Sequence, residues 1–84
     1  MKELIREFND MKLMPMFEIE IDGEYYIYAL EANSNGIEAG GTTNVGFTSY
    51  GLICEWEEDM SLDYHLEGIY DICYESALKE HNEL

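Results

Sequence analysis

"MFEIEIDGEYYIYALEA", residues 16–32, carries a change of period that decides the fold. Phe17, Ile19 and Ile21 alternate with Glu18 and Glu20, the period of two that a half-buried strand requires. The alternation meets Asp22-Gly23, a pair that accepts the positive φ angles of a type I′ turn, and resumes beyond it. With those two as the central turn residues, Ile19 faces Tyr26 and Phe17 faces Tyr28, which places Leu30 on the same apolar side. Glu18, Glu20, Tyr25 and Ile27 fall on the other. Two antiparallel strands with one buried side follow.

The flanks extend this core in both directions. Residues 2–14 set Leu4, Ile5, Phe8, Met11 and Met14 at helical spacing opposite Glu3, Arg6, Glu7 and Asp10, and Pro15 ends the segment. On the other side comes "NSNGIEAGGTTNVGFTSYG", residues 33–51. Asn35-Gly36 reads as a second turn of the same type, so that "GIEAG" returns as a third strand; Gly40, Gly41 and Asn44 supply the next reversal. "FTSYGLICEWE" is then a fourth strand with Leu52, Cys54 and Trp56 on one face and Glu55 and Glu57 on the other. Ser61 caps a helix from Leu62 to about His81, with Leu62, Leu66, Ile69, Cys73 and Ala77 as its apolar stripe. The expectation is a single α+β domain over residues 1–84. It has two layers: an antiparallel meander of three to four strands flanked by an N-terminal and a C-terminal helix (α-β-β-β-β-α), with one sheet face left open.

Charge is the strongest global signal. Nineteen acidic residues stand against four basic ones, a net charge of −15 in 84 residues. The basic residues, Lys2, Arg6, Lys12 and Lys79, lie towards the ends, and between residues 13 and 78 there are fourteen acids and no Lys or Arg. Such a field repels nucleic acid and anionic membranes and attracts basic protein surfaces. The charged N-terminus resembles neither a secretory signal nor a membrane span, so a cytoplasmic location is expected. Cys54 and Cys73 lie in apolar segments without metal or redox spacing and read as buried thiols.

Motifs for chemistry are absent. The glycine-rich "AGGTTN" could offer backbone N–H groups to a phosphate, but no cation lies near it in sequence. Glu31, Asn33, Asn35 and Gly36 match the opening of a calcium loop, yet the twelfth position is Thr42 and the flanks read as strands. His65 borders the core stripe and His81 falls in a fraying helix end; neither belongs to a nucleophile or metal arrangement. Neither an enzyme nor a cofactor or metal site is expected.

One spacing is sharper. Asp63, Glu67, Asp71 and Glu75 recur every fourth residue, a column rising about 6 Å per step on the side of the helix away from its apolar stripe. Like charges at this spacing disfavour a helix by a few tenths of a kcal/mol per pair, roughly 1 kcal/mol for three pairs, so local stability does not call for them. An ordinary solvated helix face is the competing reading. Tyr64 and Tyr74 interleave with the column, and Tyr25 stands among the sheet acids; large amphipathic rings of this kind suit interfaces. The partner-binding candidates are therefore Asp63, Tyr64, Glu67, Asp71, Tyr74 and Glu75 on the helix, Glu18, Glu20, Tyr25, Glu55 and Glu57 on the sheet, and Glu58 and Asp59 completing the "EWEED" run.

In size, acidity and α+β order, the chain resembles the small phage-encoded inhibitors of host defence, notably anti-CRISPR proteins and DNA-mimicking restriction inhibitors. The resemblance implies an acidic protein that occupies the nucleic-acid channel of a nuclease or another basic nucleic-acid-binding protein, without itself binding nucleic acid or membrane. Two other expectations stand beside it. One is a small-ligand-binding or sequestering oligomer, such as a homodimer, with residues 33–51 as its pocket wall. The other is a structural accessory subunit that pairs through an edge strand.

Overall fold

The computed structural model describes residues 2–11, 16–43 and 46–83, with the backbone alone at 42, 43 and 46–50. The elements run α1 (Lys2–Asn9), β1 (Met16–Ile21), β2 (Glu24–Asn33), β3 (Gly36–Thr43), β4 (Gly46–Glu55) and α2 (Leu62–Asn82), the α+β order expected from the sequence. The four strands form one antiparallel sheet in the order β1-β2-β3-β4, so β1 and β4 are its edges.

The first hairpin follows its sequence pattern residue by residue. Asp22 and Gly23 have φ angles of 51° and 85°, as a type I′ turn requires, and Ile19 pairs with Tyr26 and Phe17 with Tyr28. Ile19, Tyr26, Tyr28 and Leu30 are buried, whereas Glu18, Glu20, Tyr25 and Ile27 are exposed. The second hairpin differs. Its central residues are Ser34 and Asn35, one position earlier than the Asn-Gly signal suggests, and neither has a positive φ. Asn33 Oδ1 accepts the Asn35 N–H at 2.8 Å and holds this turn. Gly36 instead opens β3 opposite Asn33, at φ 145°, where a Cβ would overlap the Cys54 carbonyl oxygen of β4. Its glycine serves strand contact rather than the turn.

Gly40 and Gly41 also lie within β3, which continues to Thr43, and not at the reversal; Asn44 falls outside the described residues. A Cβ on Gly41 would stand 2.6 Å from the buried Tyr28 ring, its cross-strand partner. Beside Gly41 the ladder slips: Ala39 pairs with Leu52 but Gly41 with Thr48, so Gly40 faces three residues of β4. This bulge shifts the register by an even count, which keeps the two faces of β4 in phase.

Helix α1 is shorter than its apolar spacing suggests. It ends at Asn9, where the Asp10 N–H reaches Arg6 O and the Met11 N–H closes a tighter bond to Phe8 O. Asn9 and Asp10 are poor helix residues that favour turns, and this local preference outweighs the periodicity. Leu4, Ile5 and Phe8 face inward, Met11 is exposed, and Met14 and Pro15 lie outside the described residues. Helix α2 forms as its stripe dictates, with Ser61 Oγ accepting the Tyr64 N–H. It lies against β4, β1 and β3, while α1 packs on β2 and α2. Its Ile69, Cys73 and Ala77 share one buried cluster with Ile19, Tyr28 and Ile37 of the sheet, and His65 is buried on the same helix face. Each fully buried large apolar side chain here contributes roughly 1.5–3 kcal/mol.

Candidate functional site

All thirteen partner-binding candidates are exposed, but they do not form one surface. Each acid of the column precedes a buried residue of α2 by two positions, Asp63 before His65, Glu67 before Ile69, Asp71 before Cys73 and Glu75 before Ala77. Two residues turn a helix by about 200°, so the column runs along the side opposite the core. None of the four has an ion-pair partner among the described residues. Tyr64 and Tyr74 flank the column at 42% and 41% exposure, and Tyr70, which the spacing argument had passed over, joins them at 41% with its ring edge-on to Phe17.

Glu57, expected on the fourth strand, lies beyond it because β4 ends at Glu55, and with Glu58 and Asp59 it occupies the connection from β4 to α2 and extends this surface past the helix N-terminus. Asp59 takes a positive φ of 65°, which an aspartate tolerates better than most residues and which turns the chain into the Ser61 cap. The Tyr64 hydroxyl bonds to Glu57, and that bond, followed by the Glu57 charge, raises its pKa above 10. The connection is anchored from below by His65, fully buried, which holds two main-chain groups. Its Nε2 accepts the Glu57 N–H at 2.8 Å and its Nδ1–H donates to Ser61 O at 2.7 Å. Those bonds define the neutral Nδ1–H tautomer. Trp56 packs edge-on to the same ring and donates its indole N–H to Asn33 O at 2.6 Å, which ties the connection to the second hairpin. His65 is thus a positioning residue beneath the acidic run.

Glu18, Glu20, Tyr25 and Glu55 lie on the opposite side of the molecule, on the sheet face that α2 leaves uncovered. Tyr25 is the cross-strand partner of Glu20, and its hydroxyl bonds to that carboxylate; the bond and then the charge raise the phenol pKa above 10. The same face carries Ile27, where strand parity had placed it, together with residues that the sequence reading had not singled out. Met16, Ile27 and Ile53 are exposed there, and Glu31 stands directly opposite Glu38. The strand parity already implied by the first hairpin was the signal that could have found them.

The remaining titratable groups are structural. His81, expected in a fraying end, bonds through Nδ1 to Tyr26 OH at 3.0 Å and through Nε2 to Asp22 at 3.2 Å, fastening the end of α2 to the β1–β2 turn. Cys73 is fully buried and burial pushes its thiol up to about 12; the half-buried Cys54 is raised too, by burial first and the Glu57 charge second. Both thiols are held neutral. Residues 36–41 of the glycine-rich segment are committed to strand pairing, and the described surface depressions lie elsewhere, along α1 and α2. Among the described residues no helix is long and apolar enough to cross a membrane. Comparison with protein-family models, with curated proteins and with solved structures finds no match to this chain.

Proposed function

We propose that the chain is a small protein-binding inhibitor whose carboxylates take the place of nucleic-acid phosphates and block a basic nucleic-acid-binding site. Phage-encoded anti-defence proteins, anti-CRISPR proteins among them, are the class in which this behaviour is expected. The observation that carries the reading is the column Asp63, Glu67, Asp71 and Glu75, exposed along its whole length, opposite the buried stripe and unpaired among the described residues. Charge density supports it. A net −15 over a long dimension of 40 Å is roughly one charge per 2.7 Å, against about one per 1.7 Å of duplex DNA. Glu57, Glu58 and Asp59 prolong the line, and Tyr64, Tyr70 and Tyr74 offer apolar anchoring between the carboxylates.

The test is inhibition of DNA cleavage by a panel of nucleases and CRISPR effector complexes. Wild-type protein is expected to inhibit a member in stoichiometric amount, to compete with its DNA and to lose affinity as salt rises. Glu67→Lys with Asp71→Lys should weaken that inhibition by at least about 100-fold, since two attractions become repulsions. Circular dichroism should show the fold retained, because both positions are exposed and the changes relieve like-charge pairs. Unchanged inhibition by the double variant would remove the column from the mechanism. Binding that DNA does not compete for would remove the mimicry.

A further inference from the structure

The sheet face that α2 leaves open has a different composition from the helix face. Four large hydrophobic side chains are exposed on it, Met16 at 57%, Tyr25 at 47% and Ile27 and Ile53 at 37% each. Register places them around a low floor. Met16, Ala29 and Gly40 form one row across three strands, with the row of Glu18 and Ile27 on one side and that of Glu31, Glu38 and Ile53 on the other. Ile27 and Glu31 stand about 13 Å apart along β2 with only the Ala29 methyl between them. That gap admits side chains from a helix about 10 Å across.

We propose that this face docks a basic amphipathic helix of a partner protein. Charge selects the occupant. Glu18, Glu20, Glu31, Glu38 and Glu55 all belong to this face, and no Lys or Arg lies between residues 13 and 78 to neutralise them. A second copy of the chain would bring the same carboxylates against them, and nucleic acid or an anionic membrane is repelled outright. A purely polar cation would leave Ile27 and Ile53 unused, whereas an amphipathic helix covers apolar groups and carboxylates together. The Glu31–Glu38 pair points the same way: like charges directly opposite one another weaken a sheet, so the fold gains nothing from them. This surface is independent of the α2 column, which lies on the other layer.

The experiment titrates isotopically labelled protein with a synthetic Leu/Lys amphipathic helical peptide of about 14 residues, roughly 21 Å long. A Ser/Lys peptide of equal charge is the control. The Leu/Lys peptide should shift the amides of Ile27, Ala29, Glu38 and Ile53 and bind at least about tenfold more tightly than the control. Glu38→Lys should raise thermal stability while weakening the peptide at least about tenfold, a combination that general destabilisation cannot produce. Glu67→Lys with Asp71→Lys should leave peptide affinity within about twofold, so this docking site and the inhibitory column fail or succeed separately. Equal affinity for the two peptides, or shifts confined to α2, would overturn the proposal. A mass that doubles with concentration, with the same sheet amides shifting and no peptide present, would overturn it in favour of a second copy.

Discussion

Replacing glycines one at a time by alanine separates those that permit strand contact from those that do not, and Gly36→Ala is the decisive change. A Cβ at Gly36 would overlap the Cys54 carbonyl oxygen and lie 2.9 Å from Glu55 Cα. Both are backbone atoms of the paired strand, so no rotamer change relieves the overlap, and β3 and β4 must separate locally. Overpacking of this kind costs about 1–3 kcal/mol and sometimes more. The φ of 145° adds about 1–3 kcal/mol, because side-chain-bearing residues rarely occupy that region. Together the loss is about 2–6 kcal/mol. An 84-residue domain has only about 4–12 kcal/mol in total, at roughly 0.05–0.15 kcal/mol per residue.

Urea unfolding followed by circular dichroism is the assay. With a slope of about 1 kcal/mol per molar, Gly36→Ala should move the midpoint down by about 2–6 M or leave the chain unfolded without denaturant. Gly41→Ala should lose about 1–3 kcal/mol, since the crowded Tyr28 ring is itself buried and cannot swing aside. Gly40→Ala, whose Cβ would meet nothing within 4 Å, should be neutral or gain about 0.5–1 kcal/mol from reduced chain entropy. Equal losses at Gly36 and Gly40 would refute the reasoning, because the close passage of β4 and the φ of 145° belong to Gly36 and not to Gly40.

Three further outcomes follow from the buried and bonded groups. His65→Ala should lose about 2–4 kcal/mol in the same urea assay, since it empties a buried site and strands the Glu57 N–H, while Ser61 O keeps its bond from the residue-65 backbone N–H; a loss below about 1 kcal/mol would remove its positioning role. Stability should fall as pH rises above about 9: the unfolded Cys73 thiol ionises near 9.0 while the folded one holds its proton to about 12, so the unfolded state binds fewer protons across that window. The stabilisation is complete below about pH 9 and declines above it by at most about 1.4 kcal/mol per pH unit; Cys73→Ala should flatten the slope measured by urea unfolding at stepped pH. In an ultraviolet titration of the tyrosines, Glu20→Gln with Glu57→Gln should bring two phenols back towards pH 10, because those carboxylates hold the protons of Tyr25 and Tyr64; an unchanged curve would mean that the two bonds do not form in solution.

Where a structural choice depended on neighbours in the chain, it was legible in the amino-acid pattern. Asp22-Gly23 set a register that places every residue of the first hairpin on its side, and Ser61 with the stripe from Leu62 marked α2 from cap to end. The exposure of the acid column followed from the same helical geometry. What escaped depends on partners far along the chain. Gly36 is required by Cys54, Gly41 by Tyr28, and His81 is held by Tyr26 and Asp22, none of which a local pattern records. Asn35-Gly36 misled because a glycine suited to a turn is equally suited to a crowded strand. The split of the acidic candidates into two opposed surfaces was hidden for a related reason: composition counts charges without assigning them to layers.

That split bears on what the charge is for. Among the described residues the core is built from uncharged groups, and the one fully buried titratable base, His65, is satisfied by main-chain atoms. The column adds three like-charge pairs on α2, and Glu31 with Glu38 adds another across β2 and β3, each unfavourable by a few tenths of a kcal/mol or more. A solvated outer face needs polar residues, but mixed charges would satisfy solvation and supply attractions as well. The absence of Lys and Arg between residues 13 and 78 forgoes those attractions on both faces at once. A fold that tolerates repulsion on two opposed surfaces, each with exposed aromatic or aliphatic groups among its carboxylates, has a charge pattern that its own stability does not call for, and the proposed basic partners rest on that surplus.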